Sequence, residues 1–154
     1  VSSQKKADLA LKNGCNYIIN YKKEDVVERV KKITNGKGVP VVYDGVGKDT
    51  FKSSLESLNY RGLFVSFGQS SGMVPDVNLH KTFNPKSLYY TRPTLMHYNL
   101  TNKQLKKSSD LLFNKLIKKE LKSNIYKILD LKDASEAHDI IQSRLSSGSI
   151  ILKT

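Results

Sequence analysis

Tryptophan is absent from this chain of 154 residues, and cysteine occurs once, as Cys15. A lone cysteine excludes an internal disulfide framework and any cysteine-rich zinc site. No run approaches the roughly 18 apolar residues of a membrane helix, so no membrane insertion is expected. The N-terminus has no charged stretch leading into apolar and then small residues, the pattern of a secretory signal. A cytoplasmic location is therefore the expectation. Arginine is also scarce: of 26 basic residues, only Arg29, Arg61, Arg92 and Arg144 carry a guanidinium.

That scarcity bears on the charge. A net charge of +12 invites a nucleic-acid function. Specific phosphate and base recognition favours the bidentate guanidinium, however, and here lysines are spread along the whole chain without a nucleic-acid-binding motif. Weak, salt-sensitive binding to polyanions is all that the charge implies, and no specific nucleic-acid partner is expected.

What is present is an alternation of β-rich and helical runs, the mark of a parallel sheet with crossover helices. A helix is predicted from Gln4 to Asn13, closed by Gly14, then a strand at Tyr17–Asn20. A second helix from Glu24 to Ile33 puts Val26, Val27, Val30 and Ile33 on one stripe. Val39–Tyr43 reads as a buried strand ending in Asp44-Gly45, followed by a helix from about Asp49 to Leu58 with Phe51, Leu55 and Leu58 inward. Leu63–Phe67 is the next strand, closed by Gly68, and Ser87–Thr91 the last of the series, stopped by Pro93. Beyond it, the capping box Thr101 to Gln104 opens a long helix to about Lys119 with Leu105, Leu112 and Leu116 in its stripe. A second box, Asp133 to Glu136, opens a helix ending near Leu145, and Ser149–Leu152 closes the chain as a strand. An open α/β fold should begin with a strand and a glycine-rich turn. Val1-Ser2-Ser3 reads instead as the last residues of a strand whose beginning is missing.

Three motifs have two readings each. Gly45-Val46-Gly47-Lys48-Asp49-Thr50 lies between a strand and a helix, like a dinucleotide fingerprint. Thr50 stands where the third glycine would allow close helix–strand packing, so a βα turn beside a ligand fits better than a pyrophosphate loop. Gly68-Gln69-Ser70-Ser71-Gly72 matches the nucleophile elbow of hydrolases, which needs a helix directly after its serine. Met73-Val74-Pro75 cannot begin one, and a polar loop at the carboxyl end of a parallel strand is a ligand loop. Lys5-Lys6 after Ser2-Ser3 would ordinarily be solvated surface. At the end of a second strand, serine and lysine in place of an acidic residue also suit an adenosine 2′-phosphate. His80, His97 and His138 lack metal-ligand spacing.

Taken in order, these segments resemble the zinc-independent NADPH:quinone oxidoreductases (zeta-crystallin-like) of the medium-chain dehydrogenase/reductase superfamily. The resemblance rests on Ser2-Ser3-Gln4-Lys5-Lys6, on Gly14 with Ile18-Ile19-Asn20-Tyr21, on Val41 to Thr50, on Gly62 to Gly72, on Leu88 to Pro93 and on Ala134 to Arg144. It implies an incomplete Rossmann-like doubly wound parallel sheet over residues 1–95, lacking its first strand and glycine loop. Residues 96–154 would be a C-terminal segment completing a GroES-like catalytic domain. By position, Ser3, Lys6 and Tyr21 would contact the 2′-phosphate of NADPH, with Arg144 a basic residue near the cofactor. Val46, Phe67, Gly68, Gln69 and Ser70 would line it towards the nicotinamide. The implied reaction is hydride transfer from NADPH to a quinone, with no catalytic zinc and no catalytic residue nominated in this chain. The N-terminal half, without which the protein should be inactive, would be either a separate partner chain or the front of a longer protein, and a homodimer through Ser87–Thr91 is implied as well. The alternative is a non-catalytic fragment serving in self-association or partner binding.

Overall fold

A computed structural model of the chain describes residues 1–143 and 146–154, and these divide into two units, Val1–His97 and Tyr98–Thr154. In the first unit the elements are α1 (Gln4–Lys12), α2 (Val26–Ile33), β1 (Val39–Asp44), α3 (Phe51–Ser57), β2 (Leu58–Ser66), α4 (Leu79–Phe83) and β3 (Tyr89–Thr91). The sheet runs β1-β2-β3 with every pair parallel, as the alternation of strands and helices requires.

Local chemistry sets the helix limits. Ser3 and Asp25 cap α1 and α2 by accepting the amides of Lys6 and Glu28. At the far end of α1, Gly14 donates to Leu11 and Cys15 to Ala10, the two bonds of a Schellman motif. α3 starts two residues later than Asp49, where the sequence placed it. Its N-cap, Thr50, makes no side-chain cap, because its hydroxyl is committed to Asp44.

Three strand expectations need correction, and so does the full burial expected of Val39–Tyr43, where Val41 and Tyr43 are 36% and 74% exposed. Tyr17–Asn20 forms no strand: its segment meets the backbone at Val1, whose ammonium donates to Ile19 O (2.8 Å) and whose carbonyl accepts from Tyr21 N (3.2 Å). Two bonds around one residue do not make a ladder. β2 begins at Leu58 rather than Leu63, passing through an irregularity at Arg61 (φ 59°), and it stops at Ser66, leaving Phe67 outside. β3 begins at Tyr89 because a 3₁₀ turn over Asn84–Lys86 leaves Ser87 left-handed (φ 51°). That turn is held by the Lys86 ammonium, which donates to the carbonyls of Glu56 and Leu58.

The core is small. Phe51, Leu58 and Phe64 are buried together, flanked by Val39, Val42, Leu55, Val74, Val77 and Leu88. The Phe51 and Phe64 rings lie 5.6 Å apart, and Tyr90 tilts against Phe64 at 5.7 Å. Each such side chain withdrawn from water contributes about 1.5–3 kcal/mol, so this cluster is what seats α3 on β1 and β2.

After the short helix α5 (Leu95–Tyr98), which carries the boundary between the units, come α6 (Asn102–Ile117), β4 (Ile125–Asp130), α7 (Ala134–Gln142) and β5 (Ser149–Lys153). β4 and β5 form a parallel pair from Ile125↔Ser149 to Asp130↔Lys153. β4 has no counterpart in the sequence reading, although Ser123-Asn124 and Asp130 bound its β-prone residues, and it pairs with β5. The capping box of α6 is present, with Thr101 and Gln104 each accepting the other's amide. The second box is not: the Asp133 side chain makes no cap, a 3₁₀ turn over Leu131–Asp133 leads into α7 instead, and Glu136 pairs with Lys127. The expected helix end near Leu145 lies outside the described residues.

Candidate functional site

In a parallel sheet the loops that leave the carboxyl ends of the strands converge on one edge, and there ligands of open α/β folds bind. In the first unit these loops are Gly45–Thr50 after β1 and Phe67–Gly72 after β2. They are held together closely. Phe67 and Gly68 donate to the Asp44 carbonyl at 2.9 and 3.3 Å, Ser71 N donates to Val46 O at 2.8 Å, and Lys48 N to Gly72 O at 3.1 Å. The Ser71 hydroxyl donates to Val46 O (2.8 Å) and accepts from Asp49 N (3.0 Å), bridging the loops a second time.

Two glycines permit this contact. A Cβ on Gly68 would fall 2.4 Å from Gly45 O, and one on Gly47 would fall 2.5 Å from Gly72 O. Gly47 also has φ +92°, which a side chain disfavours. Arg92, just after β3, reaches the same place. Its guanidinium donates to Ser66 O at 2.8 Å and to Gln69 Oε1 at 3.3 Å.

Beneath the loops lies Asp44, 4% exposed. Its carboxylate accepts the amides of Val46 (2.8 Å) and Gly47 (3.0 Å) and the hydroxyls of Thr50 (2.9 and 2.7 Å) and Ser54 (2.6 Å). Burial by itself would raise its pKa. The hydrogen bonds from Ser54, Gly47, Thr50 and Val46 outweigh burial and hold the carboxyl below its ordinary range. Asp44 is therefore an ionised acceptor, not an acid poised to donate.

The sequence candidates fall into two groups. Val46, Phe67, Gly68, Gln69 and Ser70 come together in the paired loops, with Val46 and Phe67 exposing apolar surface. Ser3 and Lys6 share the first turn of α1, where the Ser3 hydroxyl accepts Lys6 N at 3.4 Å, and Tyr21 stands nearby through its amide bond to Val1. Arg144 lies outside the described residues. Reasoning from sequence missed the parts played by Asp44, Ser71 and Arg92. Only Asp44 left a signal, an acidic residue at the end of an otherwise apolar strand. Two shallow grooves in this unit lie elsewhere, one along α2 and one between α3 and α4.

The parallel sheet with paired loops at its carboxyl edge defines an α/β fold of Rossmann type. Comparison with known proteins narrows this. Residues 1–114 match the family model described as zinc-binding dehydrogenase. Quinone oxidoreductase 1 of Escherichia coli K12 is 47% identical over 154 residues, covering 99% of this chain and 47% of its own length. A 2-haloacrylate reductase from a Burkholderia species is 39% identical over 153 residues, 99% of this chain and 46% of that protein. Among solved structures, E. coli quinone oxidoreductase complexed with NADPH superposes with a TM-score of 0.93 at 47% identity, over 100% of this chain and 48% of that one. The chain belongs to the zinc-binding dehydrogenase family, within the medium-chain dehydrogenase/reductases, and spans about half the length of the curated relatives it matches.

The zinc of the family description finds no donor set among the described residues. Cys15 is exposed, and no three His, Cys, Asp or Glu side chains stand together. A dinucleotide fits the donors better: hydroxyls and an ammonium at the start of α1, apolar side chains and closely approachable backbone in the paired loops.

Proposed function

We propose that the chain forms the nucleotide-holding part of an NADPH:quinone oxidoreductase. The observation that carries this reading is the pair of interlocked loops at the carboxyl ends of β1 and β2. They stand in a chain that superposes along its whole length on an enzyme solved with NADPH. When bound, NADPH would supply the hydride.

The chain's residues then divide the work of holding it. Ser3, Lys6 and Tyr21 face the adenosine 2′-phosphate, where an ammonium and hydroxyls suit a dianion. Accepting Lys6 N leaves the Ser3 hydroxyl its own proton to donate. Val46 and Phe67 offer apolar contact towards the nicotinamide, Gly68 lets the backbone approach, and Gln69 is steadied by Arg92. Arg144 belongs to the same proposal. The acceptor is a quinone, as the names of several relatives suggest, and no side chain here is assigned acid–base chemistry. Residues 96–154 are proposed to complete a catalytic domain with residues beyond these 154, and two copies to pair through β3.

Titration with both cofactors tests the reading. A hydrogen bond to a charged group contributes about 1.5–3 kcal/mol. Lys6→Ala should therefore weaken NADPH about tenfold or more while leaving NADH nearly unchanged. An unaltered ratio of the two affinities removes Lys6 from the site.

A second reading, self-association or partner binding without catalysis, is favoured by one observation. Leu105, Leu112, Phe113 and Ile117 of α6 are 49–77% exposed, an apolar face of the kind that marks contact surfaces.

A further inference from the structure

Asp44 takes no part in the contacts assigned to the cofactor, yet it touches more of the site's framework than any residue that does. Its side chain and its main chain serve different loops. The carboxylate holds the amides of Val46 and Gly47 and the hydroxyl of Thr50, fixing the loop after β1. The carbonyl of the same residue accepts Phe67 N and Gly68 N, fixing the loop after β2. Ser54, on α3, donates to the second carboxylate oxygen and ties the helix to the same point.

Across the top, Ser71 closes the circuit. Its hydroxyl grips Val46 O and Asp49 N, and its amide also reaches Val46 O. Val46 is thus held from below through its amide by Asp44 and from the side through its carbonyl by Ser71. Neither loop can shift without breaking bonds in the other.

We propose that Asp44 is a positioning residue that joins the two loops into one rigid unit, with Ser71 as its counterpart, and so sets where Val46 and Phe67 meet the nicotinamide end of the cofactor. The joining of the loops stands on the hydrogen bonds alone. The consequence for the cofactor rests on the function proposed above.

Amide hydrogen exchange on the 154-residue chain tests the joining. Ser71→Ala removes a hydroxyl bonded to Asp49 N and Val46 O, and leaves the Asp44 carboxylate untouched. If the loops move as one, exchange should quicken about tenfold at Gly47, Phe67 and Gly68 as well as at Asp49, as expected when a bond worth about 1.4 kcal/mol is lost from a shared unit. Amides of α2 should be unchanged. Acceleration confined to Asp49, or none, overturns the proposal. Asp44→Ala should loosen both loops together, and because Ser71→Ala retains every core contact, the test survives if Asp44→Ala does not fold.

Binding then tests the positioning. In Ser71→Ala, affinity for NADPH should fall about tenfold, while adenosine 2′,5′-bisphosphate, which lacks the nicotinamide end, should bind within about twofold of the parent. Equal weakening of both ligands, or of neither, rejects a positioning role. A parent chain that binds neither ligand counts against the cofactor reading, and the exchange result then decides the joining of the loops by itself.

Discussion

A carboxylate buried at the end of a β-strand has two ways to be stable: give up its charge, or surround it with donors. Asp44 takes the second course, with two amides and two hydroxyls around it. Its pKa consequently lies below its ordinary value near 3.8. The stabilisation this represents is fully present above the ordinary value, and it is lost as pH falls through the lower folded-state value. Acid unfolding of the parent should thus steepen in that window. Asp44→Asn, which carries no charge at any pH, should flatten this part of a plot of melting temperature against pH while lowering stability at pH 7. If parent and variant lose stability in parallel as the solution is acidified, Asp44 is not the group responsible.

At the scale of elements, capping and edges make separate predictions. α6 depends on its N-terminal box, because its apolar side chains are largely exposed and packing contributes little. Thr101→Ala should cost about 1 kcal/mol, read as a drop in the free energy of unfolding and in helical circular dichroism. The strand β3 makes a different demand. Its partner on one side is β2, and Tyr89 and Tyr90 remain 58% and 45% exposed. An apolar strand edge invites pairing with a second copy. Sedimentation at micromolar concentration should find a dimer, and Tyr89→Pro, which removes a backbone donor, should shift the mass towards monomer. A parent that sediments only as monomer rules the dimer out.

For the whole molecule, the matching relatives are about twice as long as this chain, and the apolar face of α6 in the second unit stands exposed. Both observations accord with the proposal that residues beyond these 154 complete a catalytic domain. Purified alone, the chain should give no NADPH-dependent quinone reduction. Mixed with the complementary N-terminal half of a relative such as the E. coli enzyme, it should give turnover that Ser71→Ala reduces. Activity of the chain by itself, above that of a mock preparation, would contradict this. Failure of any mixture to reduce quinone while a stable complex forms would favour the non-catalytic reading.

Much of this protein was settled by the order of its residues. Apolar runs bounded by glycine and proline marked β1 and the far half of β2, and Thr101 with Gln104 marked the start of α6. These signals are legible because each depends on neighbours within a turn or two. The paired loops could also be located, since Gly45-Val46-Gly47 and Gly68 to Gly72 directly follow strands. Tertiary structure decided the rest. Tyr17–Asn20 has strand composition yet forms no ladder, because one residue, Val1, bonds its backbone. β4 is a strand because β5, beyond α7, pairs with it. Asp133 has the residue type for a cap and makes none, the chain entering α7 through a 3₁₀ turn. Thr50, which looked like a missing glycine, proved to be a hydroxyl committed to Asp44. Local sequence determines which backbone states are accessible. Only the folded chain brings the distant hydrogen-bond partners within reach of one another and so selects among those states.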